Sequence, residues 1–95
     1  MLLESNYKNG DTISLKLTSG EEMVGRLEKE DENQISIKKP MVIIAAQQGL
    51  ALSPFMFSAT PDAKFVIKQS NIMCVTKTIE EIGKQYTQQT TGIVT

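Results

Sequence analysis

The chain has 95 residues, 40% of them hydrophobic, which sets it as one small domain near the size where folds often gain stability from oligomers, metals or disulfides. Ten basic and eleven acidic residues leave a net charge of −1, so no global basic field marks it for nucleic acid and any such binding needs a local site. There is no histidine and one cysteine, Cys74, which excludes an internal disulfide and removes both the commonest zinc ligand and the usual general base near neutral pH.

The opening LLESNY (2–7) reads as a short helix or an arm, and Asn9-Gly10-Asp11 is turn chemistry. MLLESNYKNG has no long apolar region, so no signal peptide is expected. DTISLKLTSG alternates strictly, with Ile13, Leu15 and Leu17 on one face, as a half-buried strand does. Ser19-Gly20 turns the chain. EEMVGRLEK (21–29) is a second strand with Met23, Gly25 and Leu27 on one side. A glycine inside a strand marks a bulge, a bend or a close backbone approach.

Residues 30–33 form a polar loop, and ISIKKPMVIIAA (35–46) resumes the alternation until Pro40, which has no N–H for a ladder. Beyond it MVII is apolar on both faces, so it is buried on both sides or meets a partner. Residues 47–62 are long for a loop in so small a domain; such segments are functional, mobile, or carry structure of their own. Within them Phe55-Met56-Phe57 is expected in the core or at a subunit interface. AKFVIK (63–68) is a fourth strand, Gln69-Ser70-Asn71 a tight polar turn, and IMCVTKT (72–78) a fifth strand in which Cys74 is expected to be an inert core residue. IEEIGKQY suggests a short helical turn, and the polar TQQTTGIVT an end that frays. The longest apolar run, 41–46, is too short to span a bilayer, so a soluble protein without membrane contact is expected. Five short strands with tight turns make the class all-β, a small, strongly bent barrel or sandwich.

Leu17, Gly20, Met23, Gly25, Leu27 and Asp31 keep the spacing of a known motif. The stretch resembles the first motif of the Sm and Sm-like (LSm) proteins, the family that includes bacterial Hfq. Ile67-Lys68-Gln69-Ser70-Asn71-Ile72 stands where that family has its second motif, with Lys68 and Gln69 in place of arginine and glycine. The resemblance covers roughly residues 2–78. It implies a five-stranded antiparallel barrel with a short N-terminal helix over 1–78, followed by a C-terminal extension over 79–95. It also implies a homo-oligomeric ring, hexamer or heptamer, in which the fourth strand of one subunit pairs with the fifth of the next. Ring closure removes an edge-strand liability and stabilises a marginal core.

By the same resemblance, single-stranded RNA binds between the two motif loops near the ring pore. The carried-over aspartate is Asp31. The base-reading asparagine falls on Gln34, or on Asn33 slightly displaced. Lys68 takes the place of the stacking cation, although a lysine lacks the planar guanidinium. Gln69, Ser70 and Asn71 complete the second loop. No aromatic or large apolar residue sits just before Asn33, so the usual stacking platform is absent. The alternative is a structural ring that has lost RNA binding and docks a protein partner through 50–57. With no histidine, no paired nucleophile and no phosphate-cradling loop, an enzyme is not expected, nor is a cofactor or metal, and the lone cysteine suits a reduced, cytoplasmic setting.

Overall fold

The computed structural model describes residues 6–60 and 62–91. Six strands follow one another: β1 (Thr12–Leu17), β2 (Glu22–Glu30), β3 (Gln34–Ala46), β4 (Gly49–Pro54), β5 (Lys64–Lys68) and β6 (Ile72–Lys77). A single 3-10 turn, Gln69–Asn71, joins the last two, and a helix, α1 (Glu80–Thr91), follows them. The expected N-terminal helix falls largely outside the described residues; of its span only Asn6 and Tyr7 are described, and neither is helical.

All five strand ladders are antiparallel, and the sheet order is β4-β3-β2-β1-β6 with β5 on β3. The five strands read from the sequence are all present. They curl round one core of Ile13, Leu15, Leu17, Met23, Leu27, Ile35 and Ile37, with Phe65, Ile67, Ile72 and Val75 packed against it from β5 and β6. The period-two pattern of β1 to β3 thus selects the inner face directly.

The curl needs Gly25. A Cβ there would lie 2.6 Å from Ile37 Cγ1 and 3.3 Å from the Lys38 carbonyl oxygen. Gly25 alone faces two residues of β3, Lys39 and Pro40, because Val24 pairs with Met41 and Arg26 with Lys38. Two residues against one is a bulge, which bends a strand and increases its twist. Lys39 has φ +49°, in the left-handed region, and the buried Pro40 follows it. At this kink β3 changes partner: residues 34–38 pair with β5, and residues 41–46 with β4.

The strand β4 lies within 47–62, so this long segment carries structure of its own. Ala46 pairs with Gly49, so only Gln47 and Gln48 lie between the strands, and Gly49 takes the positive φ (+127°) that closes the hairpin. The C-terminal segment also differs from expectation. In place of a short helical turn and a fraying end, α1 runs to Thr91. Ile82 and Tyr86, one turn apart, bury against Val24 and Leu52 with Met41 and Ile43 beside them. This second core lies on the face of β2 opposite the barrel interior, since Val24 alternates with Met23 and both are fully buried.

Candidate functional site

Asp31 shapes the β2–β3 loop. Its Oδ1 accepts hydrogen bonds from the backbone N–H groups of Asn33 (2.8 Å) and Gln34 (3.0 Å), while its own N–H donates to the Gln34 carbonyl (3.0 Å). A short acidic side chain closing its own turn is the chemistry of an Asx turn. The second loop begins as β5 ends: Lys68 faces Gln34 across the β3–β5 ladder, and Gln69–Asn71 turns the chain into β6.

Gln69 fastens the loops together. Its backbone N–H donates to the Asn33 carbonyl (2.9 Å), and its side-chain Nε2 donates to the Asp31 carbonyl (3.0 Å) and to Glu30 Oε2 (3.3 Å). The Asn71 carbonyl accepts from Thr18 N–H (2.9 Å), which ties the turn to the end of β1. Asp31, Asn33, Gln34, Lys68, Gln69, Ser70 and Asn71 therefore stand together at one end of the β3–β5 ladder. All but Gln69, which is half-buried, are exposed.

Sequence reasoning missed two neighbours of this site. Tyr7 packs against the barrel core and its hydroxyl donates to the Glu30 carboxylate (2.9 Å to Oε1), so an aromatic from the N-terminal arm reaches the loop. Glu30 in turn holds Gln69. Neither residue belongs to the motif spacing, and only the fold brings position 7 to position 30. The surroundings carry several negative charges, with Glu30, Asp31 and Glu32 in sequence against Lys68. Among the described residues, no three carboxylate or thiol groups are placed to hold a metal ion.

No family model matches this chain, and no curated protein matches it. Among solved structures, a heptameric archaeal Sm protein superposes with a TM-score of 0.53, at 15% identity over 75% of this chain and 90% of that one. The fold is Sm-like. In this Sm-like fold the loops at 31–34 and 68–71 are the ones that meet.

Among the described residues β4 pairs only with β3, and β5 and β6 likewise keep one partner each, β3 and β1. Val66 (56% exposed) and Met73 (67%) stand on β5 and β6. Cys74 is exposed too, contrary to the expectation that it is a core residue. The cause is a register shift: Lys16 pairs with Cys74 and Leu17 with Ile72, so Met73 has no opposite number and the in-out alternation breaks. In the 50–57 patch Leu52 is buried, and Phe55 packs on the core edge-to-face with Phe65 at 6.0 Å. Phe57, 84% exposed, points outward. No helix among the described residues is long and apolar enough to cross a membrane.

Proposed function

We propose that this chain forms a homo-oligomeric ring, hexameric or heptameric, by pairing β5 of one subunit with β6 of the next. The ring binds single-stranded RNA where the loops at 31–34 and 68–71 meet. The observation that carries this reading is the junction itself: Gln69 bonds Asn33 and Asp31, and the exposed Lys68 and Gln34 share one end of the same ladder. Base-edge hydrogen bonds from amide side chains and a cation over the base are the general means of reading a single strand. Asn33, Gln34 and Asn71 supply the amides and Lys68 the cation. The free edges of β5 and β6 support the ring, because an unpaired strand invites another. No catalytic role belongs to the proposal, and its setting is cytoplasmic.

Fluorescence anisotropy with oligo-U and oligo-A at low salt tests the RNA reading. Binding is expected to weaken as salt rises. Lys68→Ala is expected to weaken it several-fold and to lower the salt slope. No binding of either oligonucleotide at low salt refutes it. A second reading is favoured by the outward Phe57 and by the carboxylates at 30–32, which repel phosphate: a ring that docks a protein partner through 50–57. Recovery of one protein partner that resists nuclease treatment and is lost in Phe57→Ser supports it.

A further inference from the structure

Besides the free edges of β5 and β6, the subunit has a largely apolar cavity of about 290 Å³ lined by Met41, Pro54, Met56, Phe57 and Phe65, with Pro40 beside them and Gln89 and Thr90 of α1 on its polar side. A cavity of about 150 Å³ holds a benzene molecule, so this one has room for a large side chain. It lies where β5 begins, because Phe65 is the second residue of β5 and Pro40 is the kink of β3. Lys39 is among its lining residues, and among the described residues no carboxylate lines it.

We infer that this cavity is the seat for Ile79 of the neighbouring subunit, an inference that rests on the β5–β6 ring proposed above. Every ladder in the subunit is antiparallel, and β5 pairing with a neighbour's β6 in the same sense fixes which ends meet. The neighbour's Lys77 end arrives at Lys64, the start of β5, beside the cavity. Ile79 lies two residues further on, a reach of roughly 7 Å at strand spacing. In its own subunit Ile79 is 66% exposed.

The charges agree. Glu80 and Glu81 follow Ile79, and the only charged residue lining the cavity among the described residues is Lys39. Of the exposed large apolar side chains, Ile44 and Leu50 stand on the β3–β4 hairpin and the rest divide between the two sides of the proposed contact. Met56, Phe57 and Val66 lie on one mating edge, and Met73 and Ile79 on the other. Each subunit contact then consists of a strand pairing and a side-chain latch, and the latch uses Met56 and Phe57, which are exposed, while Phe55 between them and β4 packs on the barrel core.

Two cysteine pairs in a Cys74→Ser background test the seat and the ring separately. With a short bismaleimide, Phe57→Cys/Ile79→Cys is expected to give a covalent ladder between subunits that ends at the ring size. Val66→Cys/Met73→Cys reports the strand pairing alone. Ile79→Asp, a change at an exposed position that leaves the circular dichroism of the subunit intact, is expected to raise the concentration for half-assembly at least tenfold. A ring in light scattering whose 66/73 pair cross-links while its 57/79 pair does not overturns the seat and leaves the ring standing. Unchanged assembly of Ile79→Asp overturns the seat as well. A monomer at all concentrations, or a ring that neither pair links, overturns the strand pairing and the seat with it.

Discussion

At Gly25 the fold depends on a missing atom. An added Cβ meets the buried Ile37 side chain and the Lys38 carbonyl at the point where β2 bends over β3. Gly25→Ala is expected to cost about 1–3 kcal/mol, the usual range for overpacking a core. Urea unfolding measures it, and in a double-mutant cycle Ile37→Val should recover part of the loss, since it removes one of the crowded methyl groups. At Asp31 the side chain serves the backbone before any ligand. Asp31→Ala removes the acceptor of two turn N–H groups and is expected to cost about 1 kcal/mol. Lys68→Ala is expected to leave stability within about 0.5 kcal/mol, as for a surface substitution. Comparing the two variants in unfolding and in RNA binding separates loop geometry from ligand contact.

Among the elements, α1 has the most to explain. Its sequence is polar, with Ile82 and Tyr86 as its two buried positions, and a stripe that thin does not register as an amphipathic pattern. What holds it is specific. The Tyr86 hydroxyl donates to the carbonyls of Lys38 and Lys39, both 2.9 Å away, at the kink of β3. Lys39 Nζ returns a hydrogen bond to the Thr90 carbonyl (3.0 Å) in the last turn, where a cation complements the helix dipole. Glu80 and Glu81 complement the other end. Tyr86→Ala is expected to cost about 3–5 kcal/mol, the range for truncating a buried aromatic.

Burial raises the Tyr86 phenol to about 12, with Arg26 nearby pulling the other way. The unfolded chain ionises this group first, near the ordinary tyrosine value, so the contribution is complete below about pH 10. It falls as pH rises from there to about 12, with roughly 2–3 kcal/mol at stake for a shift of this size. Alkaline unfolding followed by tyrosinate absorbance should show one late-titrating tyrosine, absent in Tyr86→Phe. The Glu28 carboxylate has the opposite sign. Hydrogen bonds from Lys38 and Lys64 (3.0 and 3.2 Å) hold it below the usual carboxylate range. Its contribution is present above the unfolded value and is lost as pH falls through the folded one. Exposure and salt keep it small.

For the whole molecule, the unpaired β5 and β6 edges and the exposed Met56, Phe57, Val66, Met73 and Ile79 set the expectation. Light scattering should give the mass of six or seven subunits, and thermal stability should rise with protein concentration, because assembly stabilises the folded subunit by mass action. A monomeric mass with a concentration-independent Tm removes the ring. Much of the barrel was legible beforehand, and the candidate site only in part. Ile13, Leu15, Leu17, Met23, Leu27, Ile35 and Ile37 could be placed inside from alternation alone, and the two motif loops could be paired through the family resemblance. Gln69 as the link between the loops, and Tyr7 with Glu30 behind it, could not be found, because their contacts span 38, 39 and 23 positions in the chain.

The sequence by itself determined which residues face the barrel core and where the chain turns and bends, because strand alternation, glycine and proline act over a few neighbouring residues. Tertiary structure alone decided that β3 would change partner at Lys39–Pro40, that 49–54 would become a strand, that Cys74 would face outward and that a polar helix would dock on Val24 and Leu52. Each of these depends on which distant surface arrives to satisfy a backbone edge or cover an apolar side chain. No local pattern encodes that arrival, and burial against the partner then outweighs the intrinsic preference of the segment.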